Sequence, residues 1–144
     1  MAGKEKDGLA LIVVGLDGGL PSKNASAWAA GLARREHAKL LLVYVEPLAN
    51  PAYWTGVGME GAAEAAVAYV AEMRRDAARY LDPVGVAWDV VHVRGDAARG
   101  LESVAERFEA DCIVVGRSGR GGGRVGSVPK SLIADALRPI VVVP

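Results

Sequence analysis

Apolar runs alternate with segments of helical period along the whole chain. Leu9–Leu16 (LALIVVGL), Leu40–Val45 (LLLVYV), Val86–Val93 (VAWDVVHV), Cys112–Val115 (CIVV) and Ile140–Val143 (IVVV) read as strands. Between the first two, Ala25, Trp28, Ala29, Leu32 and Ala33 recur at helical spacing after Pro21 and Ser22, which places Trp28 on a core face. Glu46 and Pro47 are read as stopping the second strand, and residues 47–59 as a long loop in which Tyr53 and Trp54 either cover a ligand or tuck the loop onto its own domain. Gly61–Leu81 is an alanine-rich helix with Ala62, Ala65, Ala66, Tyr69, Val70, Met73 and Ala77 in one stripe. Asp96 caps a third helix with core face Leu101, Val104, Ala105 and Phe108, and a fourth runs from about Ser127 to Leu137, ended by Pro139.

This β-α-β-α-β-α-β-α-β string predicts an α/β fold with an open five-stranded parallel sheet covered by helices on both faces. Strands one and four are the most apolar and belong at the centre. Asp89 and His92 interrupt the third, so it is expected at an edge, with His92 solvated or hydrogen-bonded there. The resulting order is 3-2-1-4-5. Its switch point falls between strands 1 and 4, where ligands of open α/β sheets bind beyond the strand C-termini.

The residues at that point are Asp17-Gly18-Gly19 and the stretch Val114–Ser127, which passes six glycines and Arg117, Arg120 and Arg124 before entering the last helix. Backbone N–H groups in such a loop and the following helix N-terminus suit an anion; the alternative is a flexible connector. Ser127 can cap the helix or offer its hydroxyl to a phosphate, and Asp17 can serve a turn or helix cap. Residues 111–144 hold five Lys/Arg against two Asp, leaving 12 against 15 in residues 1–110. Positive charge concentrated around one loop favours a small anionic ligand over nucleic acid.

Composition narrows the class further. At 144 residues and 51% hydrophobic the chain is sized for one domain, expected over residues 9–144 after a disordered tail at 1–8. No segment has signal-peptide or membrane-spanning character, and the single Cys112, in an apolar run, fits a reducing compartment and inert packing. A cytoplasmic location is expected. His37, near the end of the first helix, has no evident acidic partner.

Gly121, Gly123 and Gly126 spell G-x-G-x-x-G, but a dinucleotide fingerprint belongs after the first strand. Ser127 stands where a P-loop needs lysine, and the first-strand loop lacks the order of an ATP-pyrophosphatase. Arg94-Gly95-Asp96 is explained by a turn and a helix cap.

Val13-Val14-Gly15-Leu16-Asp17-Gly18 with Ser22, Ala25, Trp28 and Ala29 resembles the opening V-G-x-D-G-S-x-x-S-x-x-A-x-x-W-A of the universal stress protein family. Gly95 matches its glycine after strand 3, and Gly126-Ser127-Val128 with Pro139–Pro144 matches its G-S-V…P-V-x-V-V ending. The resemblance implies a Rossmann-like, adenine nucleotide alpha hydrolase-like fold and ATP binding, with a Mg²⁺ or Mn²⁺ ion where phosphates are held. It implies that Asp17 and Gly116 meet the ribose, that the Val45 backbone meets adenine, and that Gly119, Gly126 and Ser127 bind phosphates. The family motif G-x2-G-x9-G-[S/T] is matched at both ends, but six residues separate Gly119 from Gly126 in place of nine. Six residues still span up to about 20 Å. Gly19 and Leu20 also replace the family's Ser-Pro.

The apolar final strand is a hazard if left as an open edge, and pairing with its own copy removes it; the resemblance likewise implies a homodimer through Ile140–Val143. The expected function is a nucleotide-dependent stress-response regulator without a catalytic residue to nominate, beyond slow hydrolysis or autophosphorylation. The alternatives are a dimeric scaffold that binds no nucleotide, or a binder of AMP or cyclic AMP.

Overall fold

A computed structural model of the chain describes residues 8–17, 19–47, 56–117 and 125–144. The elements are β1 (Leu11–Leu16), α1 (Leu20–Glu36), β2 (Lys39–Glu46), α2 (Gly56–Leu81), β3 (Trp88–Arg94), α3 (Ala97–Arg107), β4 (Cys112–Gly116), α4 (Ser127–Asp135) and β5 (Ile140–Val143). The strands form one parallel sheet in the order β3-β2-β1-β4-β5, as the distribution of apolar residues predicts. Ile12, Val13 and Val14 of β1 and Ile113 and Val114 of β4 are sealed from solvent, because helices cover both faces.

Strand alternation sorts the core into two layers. Ile12, Val14, Leu40 and Leu42 face α1 and α2. Val13, Leu41, Val43 and Ile113 face α3 and α4, where Leu101, Val104, Ala105 and Leu132 meet them. At the far end of β1, Asp111 Oδ2 accepts from the N–H groups of Ala10 (2.6 Å) and Leu11 (3.0 Å), fixing where the central strand enters.

Several local expectations change. Glu46 does not stop β2 but completes it, buried, in register with Arg94 of β3. α2 begins at Gly56, inside the expected long loop; Tyr53 and Trp54 lie outside the described residues, as do residues 1–7. In its stripe, Ala66, Met73 and Ala77 are buried, whereas Ala65 is exposed. Trp28 is 42% exposed, because α1 buries the row Ser22, Ala25, Ala29 and Ala33 and turns Trp28 to its flank. Phe108 is 41% exposed: α3 ends at Arg107, and the chain leaves helical geometry before Phe108 can reach the core. α4 ends at Asp135, where Ala136 takes a left-handed conformation (φ 44°), two residues before the expected end and ahead of Pro139.

Other details hold. Asp96 Oδ2 accepts from the Arg99 N–H at 3.0 Å and caps α3. Gly95, at φ 129°, occupies a conformation that side-chain-bearing residues rarely adopt, and its N–H donates to the Glu46 carbonyl.

Candidate functional site

β1 feeds α1 on one face of the sheet and β4 feeds α4 on the other, so their C-terminal ends open a cleft of about 280 Å³. Asp17, Val45, Gly116, Gly126 and Ser127, drawn from four separate stretches, all line it. Gly119, Arg120 and Arg124 lie outside the described residues.

Two helix N-termini bound this cleft and neither has a side-chain cap. α1 starts after Gly19 and α4 after Gly126; neither carries an acidic residue in its first turn. Ser127 therefore does not cap α4, contrary to one reading of its sequence position. It is the first helical residue, exposed at the cleft. Uncapped N–H groups and the positive ends of two helix dipoles make this edge attractive to an anion. α3, whose Ala97 also borders the cleft, differs in being capped by Asp96.

Asp17 serves a turn and leaves room for a ligand. Its Oδ1 accepts from the Gly19 N–H at 2.8 Å, and its own N–H donates to Ser22 Oγ at 3.1 Å. Oδ2 has no partner among the described residues, and the residue is exposed. One oxygen thus shapes the entry to α1 while the other can accept from a hydroxyl.

The ends of the glycine loop are tied together despite its short span. Gly126 N–H donates to the Arg117 carbonyl at 2.7 Å, and Arg117 N–H donates to the Val143 carbonyl at 2.7 Å. These bonds bring Gly126 and Ser127 beside Gly116 and anchor both to β5. Gly116 is also where α1 presses on β4: a Cβ there would lie 2.5 Å from the Pro21 carbonyl carbon. α1 can approach β4 this closely because this position has no side chain.

The universal stress protein family model matches residues 10–144. The chain belongs to the universal stress protein family. It is 30% identical over 144 aligned residues to Universal stress protein Rv2005c of Mycobacterium tuberculosis, covering 92% of this chain and 47% of that protein. The chain thus spans about half the length of the mycobacterial relatives it matches. Universal stress protein MJ0531 of Methanocaldococcus jannaschii is 28% identical over 139 residues, with 92% and 80% covered. Among solved structures, UspA from Lactobacillus plantarum superposes with a TM-score of 0.83 at 22% identity, covering 95% of this chain and 99% of that one. A universal stress protein in complex with cAMP superposes at 0.69 and 22% identity (96% and 99% covered), and one from Archaeoglobus fulgidus in complex with dAMP at 0.61 and 18% (94% and 98%). These likenesses show the Rossmann-like fold, and no helix among the described residues is long and apolar enough to cross a membrane.

A second polar group of this universal stress protein was not read from its sequence. His92 Nε2 (2.9 Å) and Arg94 Nε (3.2 Å) both approach Oε2 of the buried Glu46, and Oε1 has no partner among the described residues. Tyr44 stacks on His92 and meets Tyr69 edge-on. Burial, helped by the charge of Glu46, pushes the Tyr44 hydroxyl pKa upward. The strand register that aligns Glu46 with Arg94 carries this cluster, and the expectation of a strand ending at Val45 hid it. His92 is accordingly hydrogen-bonded at the sheet edge, as expected of it.

Cys112 is buried, and burial, followed by the charge of Asp111, pushes its thiol up to about 11. Iodoacetamide at about pH 8 is expected to leave native Cys112 unmodified while labelling it readily in urea, since the thiolate is the reactive form. Mass spectrometry checks this; rapid labelling of the native protein contradicts an inert core thiol.

Proposed function

We propose that the cleft between β1 and β4 binds ATP and that the protein acts as a nucleotide-dependent stress-response regulator in the cytoplasm. The observation that carries this reading is the convergence of two uncapped helix N-termini on a cleft that also holds the spare oxygen of Asp17. Phosphates suit the first feature and a ribose hydroxyl the second. Asp17 and Gly116 take the ribose, the Val45 backbone reads the adenine edge, and Gly119, Gly126 and Ser127 hold phosphates. A Mg²⁺ or Mn²⁺ ion accompanies the phosphates. The family's relatives in complex with cAMP and dAMP support an adenine ligand. They also favour a second reading, AMP or cyclic AMP, because the loop before Gly126 is three residues shorter than the ATP-binding pattern.

Titration calorimetry of nucleotide-stripped protein with Mg-ATP, AMP and cyclic AMP separates these readings. Micromolar ATP binding, weakened about 100-fold in a Gly126→Ala, Ser127→Ala double variant, is expected, corresponding to roughly 2.8 kcal/mol of lost contacts. Selective binding of AMP or cyclic AMP establishes the second reading. Absence of binding by all three sinks both and leaves a scaffold that uses no nucleotide.

The same protein is proposed to form a homodimer through β5. Ile140–Val143 is the sheet edge, each residue only half-buried, and Ile133 and Leu137 of the neighbouring α4 region are 51% and 62% exposed. Pro139 and Val143 direct their carbonyls to β4, so alternation points the Val142 N–H outward. Val142→Pro removes that donor without touching the β4 ladder. Sedimentation equilibrium is expected to give a dimer for the parent and a monomer for the variant; a monomeric parent refutes the dimer.

A further inference from the structure

On the face of the sheet covered by α1 and α2, a groove of about 760 Å³ runs between the two helices. They lie over the same layer without packing closely on each other. Leu42 lies at its floor over the sealed Leu40, Met73, Ala77 and Leu81 line its α2 wall with only their edges exposed, and Ala27 and Ala30 form part of its α1 wall. A concavity of this volume, mostly apolar with a few polar groups, is the kind that accepts a small organic molecule.

The polar groups are unevenly placed. Tyr69, Glu72, Asp76 and Tyr80 follow one another at steps of three and four, so they share the groove side of α2. Neither Glu72 nor Asp76 has an ion-pair partner among the described residues. Burial, followed by the charges of Asp17, Tyr44 and Glu72, pushes the Tyr69 hydroxyl up to about 12, so it remains a neutral phenol beside Glu72. Across the groove the α1 wall offers one cation, Lys23, exposed and near the Ser22 end. The α2 wall therefore presents two carboxylates without an ion-pair partner among the described residues, beside the Tyr69 ring; the Tyr80 ring already carries the Arg79 guanidinium, 5.5 Å from its centroid. Carboxylates with aromatic faces attract ammonium groups, and the floor matches an apolar body.

We propose that this groove is a binding site for a cationic amphiphile, an aliphatic or aromatic body carrying an ammonium head that lies against Glu72 and Asp76. An anionic head would meet the same two carboxylates at a cost, and a body without charge would leave them unused. The site is separate from the nucleotide reading. It shares only Leu16 and Ser22 with the cleft between β1 and β4, and it stands if that cleft binds nothing.

Nucleotide-free protein labelled with ¹⁵N is titrated with decylammonium chloride and, separately, with sodium decanoate, both below their micelle concentrations. Decylammonium is expected to saturate with Kd below about 1 mM, shifting amides of residues 26–30 and 69–81, with decanoate at least about tenfold weaker. Glu72→Gln, Asp76→Asn alters only exposed side chains and is expected to weaken decylammonium about tenfold, bringing it towards decanoate. Ala27→Trp, at an exposed wall position, fills the groove and is expected to abolish the shifts. Absence of saturable binding, equal affinity for both amphiphiles, shifts mapping elsewhere, or full affinity in the charge-neutral variant each overturns the proposal. The comparison of the two amphiphiles on the parent protein decides even where a variant folds poorly.

Discussion

Gly116→Ala is expected to destabilise the protein by about 3 kcal/mol, the upper part of the range for forcing an extra carbon into a packed interior. A Cβ at this position would lie 2.5, 2.7 and 2.8 Å from the carbonyl carbon, Cβ and carbonyl oxygen of Pro21. Two of those atoms are backbone, and proline has no rotamer to swing away. Relief requires the first turn of α1 to separate from β4. Gly100 provides the contrast, because its Cβ would meet the Val45 methyl groups at 2.9 and 3.0 Å, the ends of a side chain that can adjust. Gly100→Ala is therefore expected to cost about 1 kcal/mol, the low end of the same range. In thermal melts, Gly116→Ala should fall by roughly 6–12 °C at this chain length. A melting temperature within about 2 °C of the parent would show that α1 moves freely here. Because the strain falls on the wall shared by α1 and β4, affinity at the cleft should fall with stability.

The strand order was legible because it follows from a property spread over many residues. β1 and β4 read as almost unbroken apolar runs, and a strand can be that apolar only when both its faces are covered. Asp89 and His92 in β3 signalled an edge for the same reason. What remained hidden depends on a single angle or a partner distant in sequence. Trp28 has the right spacing from Ala25 for a core position, but a helix buries a stripe, and small alanines at 25, 29 and 33 let the sheet approach so closely that the flank stays outside. Glu46 looks like a terminator until β3 is in register beside it, supplying His92 and Arg94. At the cleft, Asp17, Gly116, Gly126 and Ser127 were legible as neighbours from topology, whereas Val45 was legible only through the family resemblance. Topology did not show that Gly126, not Ser127, occupies the cap position, which is set by the local backbone angles.

The other large effect is expected at Leu132, whose removal tests how α4 is held. α4 has nine residues, and only Pro129 and Leu132 are buried. A helix this short gains little stability by itself, so its position depends on what it docks. Leu132 is sealed from solvent in the layer containing Leu101, Ala105 and Ile113. Leu132→Ala should cost about 3 kcal/mol, within the range for emptying a buried leucine site, whereas Ser131→Ala at the adjacent exposed position should change stability by less than about 0.5 kcal/mol. The loss should be local before it is global. Amide hydrogen exchange is expected to accelerate across residues 127–136 while β1 and β4 stay protected, because those strands keep both their neighbours. The N–H groups at the start of α4 would then no longer be held at the cleft, and any anion they bind should be lost with them. Uniform acceleration throughout the sheet would instead mean that α4 and the strands open as one cooperative unit, leaving the α4 end of the cleft as rigid as its floor.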